Sequence, residues 1–108
     1  MNLLQLHCEA QHGKNPLDAS TVTQFLATLP DWEIKGIELC KTYRFADYHQ
    51  TMAFVNALAW IAHQEDHHPD LSVHYNRVVV HFSTHDAGGL TLNDFICAAK
   101  TEALQGCA

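Results

Sequence analysis

The sequence predicts an α+β fold of two layers, a four-stranded antiparallel sheet with three helices on one face, in the order α-β-β-α-β-β-α. Three observations carry this expectation. Two pairs of short alternating segments each straddle a turn signal, one long helical pattern separates the pairs, and shorter helical patterns open and close the chain. Two hairpins divided by a helix combine most simply into one antiparallel sheet, with apolar helix stripes covering one side. With 108 residues the chain has the size of one domain. The expected division is an irregular N-terminal arm over 1–16 and a single folded domain over 17–108.

Each element has its own signal. Gly13, Asn15 and Pro16 end the arm, and Asp18 is placed to cap a first helix running to about Thr28. Leu17, Val22, Phe25, Leu26 and Leu29 recur at helical spacing, and Pro30 stops the pattern. Trp32 to Lys35 reads as a short strand and Gly36 as a turn. Ile37, Leu39, Tyr43 and Phe45 then alternate as a second strand. Asp47 with Gln50 resembles a capping box at the head of the longest helix, Tyr48 to about Glu65. There Met52, Val55, Leu58, Ala59 and Ala62 share a face. Pro69 disfavours helical geometry at His68, so that helix ends by Asp66 or His67. Leu71, Val73 and Tyr75 alternate as a third strand, Asn76 and Arg77 turn, and Val78, Val80 and Phe82 alternate as a fourth. Ser83 to Leu90 is a loop whose Gly88 and Gly89 let the backbone wrap closely around a ligand. Thr91 caps a last helix with Asp94 at its third position and a stripe of Leu92, Phe95, Ile96, Ala99 and Ala103. Trp32 and Trp60 read as packing residues.

Charge and composition exclude several roles. The net charge is −6 and the six Lys and Arg are scattered, which argues against nucleic acid, since phosphate binding needs clustered cations. No stretch approaches the roughly 20 apolar residues that span a bilayer, and Gln5, His7 and Glu9 interrupt the leucines at the start. A cytoplasmic protein with no membrane contact is the expectation. Cys8, Cys40, Cys97 and Cys107 form no Cys-x-x-Cys pair, and a chain of this length needs no disulfide, so four reduced thiols are expected.

Nine histidines are the compositional anomaly. His7, His12 and His49 read as ordinary surface residues, and His81 has no assigned role. His67 and His68 sit where a helix hands over to an extended strand, preceded by Glu65 and Asp66 and fixed by Pro69. An imidazole with a pKa of about 6.5 exchanges protons near neutral pH, which suits acid/base work. The same doublet also suits the negative end of a helix for purely structural reasons. His85 opens the glycine loop directly after a strand, held by the sheet yet reachable, or else it is an exposed loop histidine. Asp94 reads as a capping carboxylate, as a group that orients a histidine or accepts hydrogen bonds from a ligand ring, or as both cap and functional group. His63 and His67 are spaced to share a metal ion, but the glutamate of His-Glu-x-x-His is absent and Pro69 is already ending the helix, so no metal is expected.

Jointly, Glu65, His67-His68-Pro69, Tyr75, His85 and Asp94 resemble the defining pattern of the pterin-4a-carbinolamine dehydratases. Leu29-Pro30-Asp31-Trp32 resembles that family's Leu-Pro-Gly-Trp, with Asp31 in place of glycine as a change of small consequence. Leu71 stands where many members have an aromatic residue. The resemblance covers about residues 17–104. It implies removal of water from a 4a-hydroxytetrahydropterin to give a quinonoid dihydropterin, within recycling of the pterin cofactor. It also implies general acid/base catalysis without metal or cofactor, and a homodimer or homotetramer. His67 and His85 would transfer protons, His68 would bind and polarise the pterin, and Asp94 would support the site. Glu65, Pro69 and Tyr75 would complete the substrate-binding set. The rival reading is a non-catalytic dimerisation or binding protein on the same fold.

Overall fold

Asp18 accepts a hydrogen bond from the Thr21 amide at 2.8 Å and so opens α1, Ala19–Leu26. The computed structural model describes residues 2–10 and 15–107; His12 and Gly13 lie outside them. Thr28 and Leu29 close α1 with tighter backbone bonds to Phe25 and Leu26, so the helix ends before Thr28. Asp31 then turns the chain with φ 64. This is the left-handed region, which glycine enters freely and an L side chain enters at a cost of roughly 1–2 kcal/mol. The aspartate in place of glycine therefore carries a backbone cost, where the sequence reading gave the change small consequence.

β1 (Glu33–Lys35) and β2 (Glu38–Arg44) form a hairpin in which Gly36 takes φ 61 at the first of two loop residues. α2, Tyr48–Glu65, crosses one face of the sheet. β3 (Asp70–His74) and β4 (Arg77–Phe82) form the second hairpin, and α3, Leu92–Ala103, follows. The turn is Tyr75-Asn76, one residue earlier than expected, because Arg77 already pairs with His74 and Arg44. All pairings are antiparallel, and the strand order is β1-β2-β4-β3. The fold class and element order agree with the sequence reading.

Strand periodicity decides what faces the helices. Leu39 pairs with Phe82, Lys41 with Val80 and Tyr43 with Val78, and all but Lys41 are buried. Each fully buried side chain of this size stabilises by about 1.5–3 kcal/mol. At the sheet margin the alternation stops predicting burial. Ile37, Val73 and Tyr75 continue the alternation yet are exposed.

Two helix faces also differ from expectation. On α2 the buried residues are Thr51, Phe54, Leu58, Ala62 and Glu65, so the inward face is rotated by one position from Met52, Val55 and Ala59. Trp60 lies on the opposite side and is 63% exposed, so it does not pack in the core. α3 is enclosed nearly all round, with Asn93 to Ala98 and Thr101 buried. The arm supplies part of that cover. Its 3-10 turn at Leu3–Gln5 inserts Leu3 into the core cluster. At its other end Leu17 donates to the Leu90 carbonyl at 2.8 Å. A Cβ on Gly89 would stand 2.9 Å from Pro16 Cβ, so this glycine admits the arm rather than a ligand. Under the sheet, Glu102 Oε1 accepts from Trp32 Nε1, Lys41 Nζ and the Tyr43 hydroxyl. Among the described residues no helix is long and apolar enough to cross a membrane.

Candidate active site

The end of α2 places the first candidate side chain. Asp66 caps the helix with φ 50, and the His67 amide reaches back to the Ala62 carbonyl at 3.2 Å. This left-handed residue turns the chain sharply, so His67 leaves the helix and meets Phe82 of β4. Its ring lies nearly parallel to Phe82, with planes 10° apart and centroids 6.1 Å apart.

Asp94 meets it from the first turn of α3. The Asp94 side chain is fully buried, and its Oδ1 lies 2.7 Å from His67 Nε2. The other oxygen accepts the Thr84 hydroxyl at 2.8 Å and the Thr91 amide at 2.9 Å, while the two threonine hydroxyls stand 2.9 Å apart. The carboxylate thus caps α3 and holds an imidazole at the same time. The helix N-terminus favours its negative charge, and its orientation is fixed before any ligand arrives.

Glu65, on the last turn of α2, is also buried. Oε1 accepts the Cys8 amide at 2.7 Å, and Oε2 meets Lys100 Nζ at 2.7 Å and His7 Nδ1 at 3.0 Å. Burial alone would raise its pKa, but the hydrogen bonds from Lys100, Cys8 and His7 outweigh it and hold the carboxyl at about 2. Asn93 completes the attachment of the arm: its amide oxygen accepts the Glu9 N–H at 3.1 Å and its amide nitrogen donates to the Glu9 carbonyl at 2.6 Å.

These groups surround a cleft of about 300 Å³, lined by Cys8, Glu9 and Ala10 of the arm, Glu65, Asp66 and His67, then Thr84, Asp86 and Asn93. A larger groove of about 710 Å³ between the 3-10 turn, α1 and α3 is lined mainly by Leu3, Phe25, Leu29 and other apolar groups, and no histidine borders it. Of these two, the smaller cleft is the one lined by a histidine.

Of the residues singled out in the sequence, Glu65, His67 and Asp94 come together. His68 and His85 are exposed, each next in sequence to residues that line the cleft, and Pro69 is half-buried. None of these three lines it directly. Tyr75 is 64% exposed and stacks on Tyr48 with centroids 6.3 Å apart. The length of β3, roughly 17–20 Å at about 3.3 Å per residue, separates it from Pro69. His63 is exposed on α2, and no group of three His, Cys, Asp or Glu among the described residues is arranged to hold a metal. His81 lies on the open face of the sheet, 3.8 Å from Glu38.

The sequence reading missed Thr84, Lys100, Asn93 and the arm. Thr84 precedes His85, and strand alternation after Phe82 aims it inward with Val80 and Phe82. Leu3 and Leu6 offered the only signal that the arm packs.

The family model described as Pterin 4 alpha carbinolamine dehydratase matches residues 15–104. The chain belongs to this family. Its members are hydro-lyases by name, and the relatives agree. A Chromobacterium violaceum protein provisionally named pterin-4-alpha-carbinolamine dehydratase is 81% identical over 104 residues, covering 96% of both chains. A Xanthomonas euvesicatoria protein with the same provisional name is 59% identical over 105 residues, covering 94% of this chain and 89% of its own. Among solved structures, a transcriptional coactivator/pterin dehydratase from Brucella melitensis superposes with a TM-score of 0.79 at 32% identity. That match covers 83% of this chain and 98% of the other. A pterin dehydratase-like protein identified as a RuBisCO assembly factor in the alpha-carboxysome gives 0.58 at 28% identity, over 69% and 87%.

Proposed function

We propose that this pterin dehydratase family member removes water from a 4a-hydroxytetrahydropterin and releases the quinonoid dihydropterin, as one step in recycling the pterin cofactor within the cytoplasm. The observation that carries the proposal is the buried Asp94 carboxylate, 2.7 Å from His67 Nε2 at the wall of the cleft.

The chemistry follows from that couple. A neutral His67 that donates its Nε2 proton to Asp94 keeps a lone pair on Nδ1. Such a ring is a base of fixed orientation. In the substrate, the electrons of the ring nitrogen expel the hydroxyl from the adjacent carbon once an acid protonates the leaving oxygen. The nitrogen then gives up its own proton to a base. One proton arrives on oxygen, one leaves nitrogen, and water departs. His67 and His85 are the two proton-transfer groups, and His68 binds and polarises the pterin. Asp94 orients His67. Glu65 lines the cleft, and Pro69 and Tyr75 complete the substrate-binding set from outside its lining. General acid/base catalysis of this kind supplies about 10²–10⁴-fold. The working form is a homodimer or homotetramer, which light scattering on the purified protein checks.

The test is the absorbance change when the protein meets freshly made 4a-hydroxytetrahydropterin, beside a no-enzyme control and His85→Ala. Acceleration by the wild type that the variant loses supports the assignment. A wild-type trace no faster than the spontaneous reaction rejects it.

A second reading has its own support. One structural relative is described as a coactivator as well as a dehydratase, and another as an assembly factor. The exposed Trp60 and Tyr48 on α2 suit association. Inactive protein that forms a stable complex with a partner would favour this scaffold role.

A further inference from the structure

Cys8 and Cys97 come from opposite ends of the chain, yet their sulfurs lie 3.5 Å apart. Cys97 is fully buried on α3, one turn beyond Asp94, whereas Cys8 is half-buried and lines the cleft. The arm is pinned on both sides of this contact. The Cys8 amide is held by Glu65, and the Glu9 backbone is held by both atoms of the Asn93 amide. These bonds hold the two thiols next to each other, and the proposed dehydration uses neither of them.

We propose that Cys8 and Cys97 form a redox modification site, which a small-molecule disulfide converts into an intramolecular bond tying the arm to α3 beside the cleft. A disulfide needs a separation of about 2.05 Å, so the sulfurs must close by about 1.5 Å. The arm can supply that movement, because it is anchored by a few hydrogen bonds and not built into the sheet.

The order of events follows from access. Cys97 has no solvent contact, and its hydrogen bond with the Cys8 thiol, together with burial, pushes its pKa up and keeps it protonated. Cys8 is the thiol that meets the oxidant. Its thiolate attacks one sulfur of the small disulfide, whose S–S bond breaks as a mixed disulfide forms and one thiol leaves with the Cys8 proton. Capping Cys8 removes the thiol hydrogen bond that most raises the Cys97 pKa, and Cys97 releases its proton as its sulfur attacks the Cys8 sulfur. The Cys8–Cys97 bond forms, the mixed disulfide breaks, and the second thiol leaves with the Cys97 proton. Two protein thiols lose two electrons, and one small disulfide becomes two thiols. The product holds one wall of the cleft in place, whichever reaction the cleft performs.

The test uses the full-length protein, reduced, freed of reductant, incubated with oxidised glutathione, then alkylated under denaturing conditions and mapped by mass spectrometry. The expected result is a Cys8–Cys97 cross-linked peptide and an intact mass lower by two hydrogens, reversed by dithiothreitol, with Cys40 and Cys107 alkylated. Cys97→Ala should stop at the glutathione adduct on Cys8, and Cys8→Ser should leave Cys97 unmodified. Wild-type protein in which Cys8 carries glutathione while Cys97 remains a free thiol would overturn the proposal. So would Cys8 joined to Cys40 or Cys107. The wild-type map decides even if Cys97→Ala fails to fold.

Discussion

Replacing Glu65 by glutamine removes the one charge that holds Lys100 and the arm together. The carboxyl lies at about 2 in the folded chain, against an ordinary 4.5. Each tenfold change in proton affinity is worth about 1.4 kcal/mol, so the folded environment favours the ionised form by on the order of 3 kcal/mol. The pKa is depressed on folding, so this stability is fully present above the unfolded value of 4.5. It is lost as the pH falls from there through about 2. The assay is urea unfolding of wild type and Glu65→Gln at pH 7, 5, 4 and 3, each pair in the same buffer. The wild type should be more stable by on the order of 3 kcal/mol at pH 7, and the gap should shrink below pH 4.5. Desolvation of an unpaired Lys100 adds to the gap at neutral pH without changing that trend. A difference that stays constant from pH 7 to pH 3 would refute the reasoning, because the clamp would then owe nothing to the carboxylate charge.

Further outcomes follow from the backbone and the core. Asp31→Val should cost more than about 1 kcal/mol, because φ 64 is poorly tolerated by a branched side chain, whereas Asp31→Gly should be nearly neutral or stabilising in the same unfolding assay. Phe95→Ala should cost about 3–5 kcal/mol, since the ring is fully buried and packs on Phe25 at 5.4 Å; a midpoint shift worth less than about 1 kcal/mol would contradict that packing. Asp94→Asn should change the ring-nitrogen NMR shifts of His67, because the carboxylate beside Nε2 becomes an amide; unchanged shifts would mean the contact does not set the tautomer.

The sheet was legible in the sequence because strand burial follows a period of two wherever a helix covers the strand. Leu39, Tyr43, Val78, Val80 and Phe82 all obey it. Val73 and Tyr75 have the same pattern but are exposed at the edge strand's end of the sheet, and a local pattern cannot report how completely a distant element covers it. The inward face of α2 was displaced by one position because alanines dilute its apolar signal. Phe54 and the polar Thr51 and Glu65 face inward, and Trp60 was taken for core for the same reason. In the site, Asp94 was readable as a cap and as a carboxylate that could orient a histidine, though its position alone did not say which one. The arm was not readable. Its attachment depends on Glu65, Asn93 and Lys100, which are polar residues whose partners lie more than fifty positions away for the two that contact it directly.

The most direct test of the account is stopped-flow dehydration of 4a-hydroxytetrahydropterin by wild type, His67→Ala and Asp94→Asn, with unfolding curves for each. The account predicts acceleration by the wild type. It also predicts a loss of about 10²–10⁴-fold in His67→Ala and an intermediate loss in Asp94→Asn, with all three proteins folded. A folded His67→Ala protein as fast as the wild type would contradict it.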